Sequence, residues 1–295
     1  MKITPAKFCF LMLILLQLSV AQIRLSRIIE PDTTLADKSL SAVAVSPFGD
    51  IYLIESRQHQ IFRMDATGKI IRTSGGYGWE QGQLDIPMDL FVASGLDVLV
   101  ADYNNRRIQR FDRELNFLSH YPSEGEVAGI LYPRSVTANR FGDLYLLNDE
   151  TNAIRRIDLN GEISSIGGYS YGDLALRNPI QIRCDVAGRL YALDRGGMIH
   201  LFDRFGLALR QMPPPDTLRA AGMIAMPQGL LVFGKGAPAV LYRVSWEGRW
   251  KVLPSIEFAA DWALVSGDYA DGRVYFLTDH AQVLVCEIED EPVAP

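Results

Sequence analysis

Apolar and polar positions alternate in this chain with a period of two, in paired short runs that return again and again. Leu96-Asp-Val-Leu-Val-Ala-Asp102 is followed by the polar Tyr103-Asn-Asn-Arg106 and then by Arg107-Ile-Gln-Arg-Phe-Asp112. In the second run Ile108 and Arg110 fall on one face, and Arg107, Gln109 and Phe111 on the other. Asn104 and Asn105 favour a tight turn between the runs, because Asn tolerates left-handed backbone. The same hairpin recurs at Gly49–Glu55 with Ile61–Asp65, at Gly142–Asn148 with Ile154–Asp158, and at Gly188–Asp194 with Ile199–Asp203. Looser copies follow at Gly229–Gly234 with Leu241–Ser245 and at Gly272–Thr278 with Val283–Glu287. After residue 21 no stretch of useful length keeps a helical period.

Each hairpin is preceded by an apolar run and followed by a shorter, more polar one, so the pattern predicts four strands per unit. The predicted first strands are Ser41–Ser46, Asp89–Ala93, Ser135–Asn139, Gln181–Asp185, Gly222–Met226 and Trp262–Ser266. The units repeat every roughly 40 to 47 residues, a period at which one unit is one propeller blade. The expected fold is all-β: a six-bladed β-propeller with blades near 41–76, 88–122, 134–168, 180–213, 221–254 and 261–290. The last unit offers three strands, Trp262–Ser266, Arg273–Thr278 and Gln282–Ile288, while the apolar-polar run Ile23–Ile29 begins no unit. That run (22–29) is expected to supply the missing outer strand and close the ring, which hides an edge open to aggregation. Glycines 49, 95, 142, 188 and 272 are expected in first-to-second turns, and 68, 161, 206 and 248 in third-to-fourth turns.

The units resemble NHL repeats, the blades of a family of β-propellers. Asn104-x-Arg106-Arg-Ile108-Gln109-x-Phe111 carries the resemblance most strongly, and Gly75-Gly76-x-Gly78-x-x-x-Gly82-Gln83-Leu84-x-x-Pro87 resembles the family's inter-blade linker. The resemblance extends over nearly all of the chain after residue 21, although units five and six lack the signature residues. It implies the propeller fold and leaves the activity open, since fold and activity separate easily.

Residues 1–21 read as a signal peptide. Lys2 and Lys7 stand before the apolar run Phe8–Leu16, and Ser19 and Ala21 are the small residues expected before a cut after Ala21. The run is short for a membrane span of about 20 apolar residues. The expectation is a secreted or periplasmic protein whose residues 22–295 form one domain with no transmembrane segment. Loss of Lys2 and Lys7 moves the formal charge from −6 to 27 − 35 = −8. Such an acidic balance argues against a nucleic-acid partner, which needs a basic face. No Asn-x-Ser/Thr occurs after residue 21, which favours a bacterial envelope over a glycosylating secretory route. Cys184 and Cys286 fall on strands that are not neighbours in this plan, so buried, inert thiols are expected rather than a bridge.

In a propeller the second-to-third turns and the inter-blade linkers share one face. The candidate contact residues there are Arg57, Tyr77, Trp79, Tyr103, Arg106, Arg134 and Tyr169. Asp89 and Gln181 join them at the channel mouth, equivalent in the repeat to Ala42 and Ser135. Tyr, Trp and Arg at a rim are the composition of a recognition surface. The four histidines, His59, His120, His200 and His280, do not converge as a zinc site requires. Amidating-lyase and gluconolactonase-like propellers hold metal with His, or with Glu, Asn and Asp, and no such set can be assigned here. Asp89 and Asp185 on inner strands leave room for a calcium ion in the channel; otherwise no cofactor is expected. No serine nucleophile elbow, phosphate loop or Cys-x-x-Cys is present. The expected function is a non-catalytic, monomeric scaffold presenting this face to a protein, peptide or glycan of the cell envelope. The competing expectation is a metal-dependent lyase or lactone hydrolase using the same mouth.

Overall fold

The computed structural model describes residues 22–35, 38–93, 97–121, 132–168, 175–215, 218–254, 256 and 262–289. The expected signal peptide and Gly95 lie outside the described residues. The described strands form six antiparallel sheets of four strands each, and in five of them the strands follow one another in sequence. The sixth borrows its outer strand from the other end of the chain. Gln22–Ile29 pairs antiparallel with Val283–Glu289, from Ile23 opposite Ile288 to Ile29 opposite Val283, with a bulge between Leu25 and Arg27. The inner strands Leu40–Val45, Pro87–Val92, Pro133–Ala138, Pro179–Cys184, Ala220–Met226 and Leu264–Ala270 pack side by side, the last against the first. The ring therefore closes as the pattern of apolar runs requires.

Several strand bounds are corrected. The inner strand of blade six is Leu264–Ala270, not Trp262–Ser266, and its third strand is Val283–Glu289 rather than Gln282–Ile288. The strand runs on through Gly267, where a Cβ would come within 2.6 Å of Ile224 Cδ1, so a bare backbone is what lets blades five and six approach. The turn falls at Asp271-Gly272, both with positive φ, as expected of Gly272. The inner strand of blade five also starts earlier than predicted, at Ala220. In blades two to four the inner strand opens on Pro87, Pro133 or Pro179. A proline is tolerated at the first residue of a strand, where no ladder donor is missed.

Apolar burial lies between blades rather than within them. Each apolar cluster among the described residues is shared by two neighbours: Leu99, Ala101 and Ile108 of blade two, for example, pack on Val136, Leu144 and Leu146 of blade three. Ile29 and Leu35 lie in the cluster joining blades one and six. A single blade cannot bury its faces alone, so these side chains, of which each Leu, Ile or Val is worth about 1.5–3 kcal/mol when fully buried, stabilise the ring as a whole. Polar contacts repeat the theme. The buried Tyr52 hydroxyl donates to the Arg113 carbonyl of the next blade (3.0 Å), and Tyr145 does the same to Arg204 (2.7 Å). In blades one, three and four the aspartate that follows the third strand caps the turn: Asp65, Asp158 and Asp203 each accept the backbone N–H groups two and four residues on.

The inner strands are sheet edges, so half of their N–H groups find no partner within their own blade. Side chains of the preceding blade accept several of them. Ser266 and Asp268 accept from Val43 and Val45 (3.2 and 2.8 Å), and Asp89 accepts from Val136 (3.1 Å). Ser135 and Thr137 accept from Ile182 and Cys184 (both 3.2 Å), and Gln181 accepts from Met223 (2.5 Å). This polar seam lines the channel and joins blade to blade.

Candidate functional site

The residues that carry the repeat signature in blade two hold the linker that precedes it. Asp102, wholly buried, accepts from Arg107 Nε (2.8 Å), Asn105 Nδ2 (2.9 Å), Gln109 Nε2 (3.0 Å) and the Asp85 N–H (2.7 Å). Arg107 spends its remaining donors on the carbonyls of Trp79, Glu80 and Gln83, at 2.8 to 2.9 Å. Asn105 also donates to Gly78 O (2.8 Å), and the Gly82 N–H donates to Gln109 Oε1 (3.1 Å). Leu84 anchors the linker with no exposed surface. Backbone bonds from Leu84 N to Gly76 O (2.9 Å) and from Gly78 N to Leu84 O (3.1 Å) close the loop on itself.

This clamp fixes two large side chains that the core does not use. Tyr77 is 68% exposed and Trp79 73% exposed. His59 stands beside them: its ring meets Tyr77 edge-on at 5.1 Å, and its Nδ1 accepts the Ile86 N–H at 2.9 Å, so the proton of the neutral ring lies on Nε2. Arg57 is exposed in the second-to-third turn of the same blade.

A second cluster lies where blades two and three meet. The Tyr103 hydroxyl donates to Asp149 (2.9 Å), and Arg134 grips the same carboxylate with two bonds of 2.5 and 2.9 Å. Burial opposes the charged form of Asp149, but Arg134 and Tyr103 outweigh it and hold the carboxyl below its ordinary range. Arg106, in left-handed backbone, donates to the Tyr132 hydroxyl (2.7 Å) and lies 4.8 Å from the centre of its ring, while Tyr103 and Tyr132 pack at 5.2 Å. The outcome is a ridge of Tyr and Arg side chains, locked by one carboxylate.

Of the residues nominated from sequence, Arg57, Tyr77 and Trp79 project from the rim at blades one and two, and Tyr103, Arg106 and Arg134 form the ridge. Tyr169 lies outside the described residues. Asp89 and Gln181 do reach the channel, but both are engaged in the seam. Asp89 accepts Ser135 Oγ (2.6 Å) and pairs with Arg183 across the channel, with bonds of 2.9 and 3.0 Å. Cys184 and Cys286 are both free. Burial pushes the Cys184 thiol up, and that of Cys286 to about 12, so neither is a thiolate at neutral pH. Among the described residues no group of three or more His, Cys, Asp or Glu stands together as metal ligands would.

The Asp89–Arg183 pair divides the channel into two unequal mouths. On the linker side a shallow cavity of about 100 Å³ is ringed by the starts of the inner strands, including Ala42, Asp89, Arg134 and Gln181. On the opposite side, among the first-to-second turns, lies a cavity of about 300 Å³ with Arg183 and Asp268 on its lining. Sequence reasoning missed this second cavity. Arg183 and Asp268 stand among other polar residues, in Gln181-Ile-Arg-Cys-Asp185 and Ser266-Gly-Asp-Tyr-Ala-Asp271, and no repeat signature marks them.

Comparison with known proteins supports the architecture. No family model matches the chain. A stretch of 181 residues, 60% of the chain, is 28% identical to the Protein brain tumor of Drosophila melanogaster, and spans 16% of that protein's length. Among solved structures, a streptogramin B lyase superposes with a TM-score of 0.66 at 14% identity, covering 89% of this chain and 98% of the other. A catalytically inactive virginiamycin B lyase from Staphylococcus aureus bound to quinupristin gives 0.63 at 14% identity, over 91% and 100%. The WD40 repeats of RRP9 give 0.63 at 9%, over 92% and 100%. These likenesses bear on the fold alone: the six four-stranded sheets superpose on two lyases and on the WD40 repeats of RRP9.

Proposed function

We propose that this chain is an NHL-type propeller acting as a non-catalytic, monomeric binding scaffold, with the linker face of blades one to three as its contact surface. The observation that carries the reading is the exposure of Tyr77 and Trp79 on a loop clamped at its carbonyls by Arg107. Large aromatic side chains left in water on a rigid support lose little entropy when a partner covers them, which is what a binding hot spot requires. The Tyr103–Arg106–Tyr132–Arg134 ridge extends that surface with stacking faces and guanidinium donors. A peptide segment of a protein partner fits this chemistry best; a glycan is the other outcome to be tested. We place the protein in the periplasm or outside the cell on the strength of Lys2, Lys7 and the apolar Phe8–Leu16 run. Among the described residues no helix is long and apolar enough to cross a membrane.

A photo-crosslinking amino acid at position 79, in the native host, tests the surface. A specific adduct is expected there and none from position 205, where the 62%-exposed Phe205 lies on the opposite face. Mass analysis of the adduct separates peptide from glycan. Equal adducts at both positions, or none at 79, would overturn the reading. The competing lyase or lactone-hydrolase reading shares the fold with its named neighbours at 14% identity. A stoichiometric divalent ion retained through purification without chelator would favour it.

A further inference from the structure

The cavity on the face opposite the linkers has the shape and chemistry of a small-ligand site. Its volume of about 300 Å³ lies at the lower end of the range for ligand pockets. Val45, Phe91, Val92, Ala225 and Met226 furnish apolar walls, and the half-buried Asp268 shares the lining with Arg183. The two charges are not matched. Arg183 is neutralised from behind: both of its terminal nitrogens bond Asp89, and one also donates to the Ile182 carbonyl at 2.8 Å. Asp268 accepts two backbone N–H groups, from Val45 and Tyr269, each at 2.8 Å. Those bonds occupy one site on each oxygen, and a carboxylate offers about four. The cavity's other carboxylates are spent or peripheral. Asp185 is bonded to Arg189 (2.7 Å) and Tyr191 (3.1 Å), and Asp271 pairs at the exposed rim with Arg273 (3.6 Å). The trio Asp89, Arg183 and Asp268 thus carries one negative charge in excess, facing a half-open recess with largely apolar walls. A charge held partly out of water without a counter-charge is costly, and an occupant that supplies one reduces that cost.

We propose that this cavity binds a small organic cation, a primary ammonium on a short apolar or aryl body, with Asp268 as its counter-charge. The body fits between Phe91, Val92 and Met226, and the ammonium donates to the lone pairs of Asp268 that the backbone leaves open. The site is independent of the linker face.

The test uses 2-phenylethylammonium as probe, with phenylacetate and 2-phenylethanol as controls of similar shape, titrated into the full chain by calorimetry and ligand-observed NMR. The ammonium is expected to bind with a Kd of about 1 mM or tighter, phenylacetate not at all, and the alcohol more weakly. Burial raises the Asp268 carboxyl to about 6, so binding should weaken at least about tenfold from pH 8 to pH 5 as that carboxyl takes up its proton. The other titratable groups facing the cavity are Arg183, Cys184, Asp185, Tyr269 and Asp271, with Asp89 behind Arg183. Asp268→Asn should abolish the preference for the ammonium. Because both Asp268 oxygens cap backbone N–H groups, that variant is paired with Ala225→Phe, which fills the cavity and keeps the charge; it too should abolish binding. Phenylacetate binding as well as the ammonium, ammonium binding that survives Ala225→Phe, or no binding of the probe at about ten times the expected Kd would each overturn the proposal.

Discussion

The two mouths of the channel are built from opposite kinds of residue. The linker mouth is made by the repeat: Asp102, Asn105, Arg107 and Gln109 spend nearly all of their polar groups on holding a loop, and that loop carries Tyr77 and Trp79 into solvent. The far mouth is made by departures from the repeat. Arg183 and Asp268 stand on inner strands where other blades place apolar or small residues, and they leave a cavity about three times larger than the dimple on the linker side. A repeated unit thus yields two faces with different capacities, one a rigid surface and the other a charged, apolar-walled recess. The repeat signature marks the rigid face by supporting it rather than by contacting anything.

Removal of the closing strand should damage both mouths at once, and it is the largest effect expected. Deleting 22–29 removes Ile23 and Ile29, 6% and 2% exposed, and with them burial worth about 1.5–3 kcal/mol each. It also frees the edge of Val283–Glu289. Against a total stability of about 5–15 kcal/mol, the truncated chain should lose its single cooperative urea transition and run as aggregates on size exclusion. A sharp, wild-type transition would mean that the ring does not depend on its closure. Arg107→Ala should separate the mouths. Breaking a buried pair costs about 3–5 kcal/mol, and the low end is expected because Asp102 keeps donors from Asn105, Gln109 and Asp85. Urea unfolding measures the loss. Hydrogen exchange should rise in residues 76–86 and stay unchanged in the inner strand Leu264–Ala270.

Much of this was legible in the sequence because the propeller is a local code written many times. The Gly-Asp-Ile-Tyr runs, the turn aspartates and the orphan strand Ile23–Ile29 each declare themselves by recurrence or by its lack. The strand ends were less legible: the inner strands of blades two to four begin earlier than the apolar pattern suggests, on Pro87, Pro133 and Pro179, and that of blade six runs on past Ser266 through Gly267 and Asp268. Of the candidate site, Trp79 and Tyr103 were visible as aromatic residues in polar turns. The pairing of Asp89 with Arg183 was not, because its partners lie 94 residues apart and meet across the closed ring. For the same reason Asp89 and Gln181, aligned at the mouth by the repeat, gave no sign that neighbouring backbone would take up their polar atoms.

The far mouth predicts a smaller effect with a definite sign. The folded Asp268 carboxyl, raised by burial to about 6 against 3.8 when free, binds its proton more tightly than the unfolded chain does. Its ionisation therefore costs the fold nothing below 3.8, begins to cost as pH rises through that value, and costs fully above about 6. Asp149, whose folded value is lowered, acts in the opposite sense: its stabilisation is present above 3.8 and is lost as pH falls through the folded value. The difference between wild type and Asp268→Asn isolates the first group. Urea midpoints from pH 4 to 7 should show the variant gaining on wild type as pH rises, and a flat difference would refute the assignment.

Trp79→Ala should change stability least, and for that reason it divides support from contact most cleanly. The side chain is 73% exposed, and its backbone carbonyl, not its ring, is what Arg107 holds. Truncation leaves the clamp intact, so the urea midpoint should move by no more than about 0.5 kcal/mol. If the ring is the hot spot of the linker face, loss of the partner crosslinked there should amount to about 2 kcal/mol or more. Arg107→Ala should show the reverse order, with a large cost in folding and a loss of binding that follows from it. Were both substitutions to weaken the fold and the contact in the same proportion, the linker mouth would be a single structural unit, and the contrast with the far mouth would rest on the cavity alone.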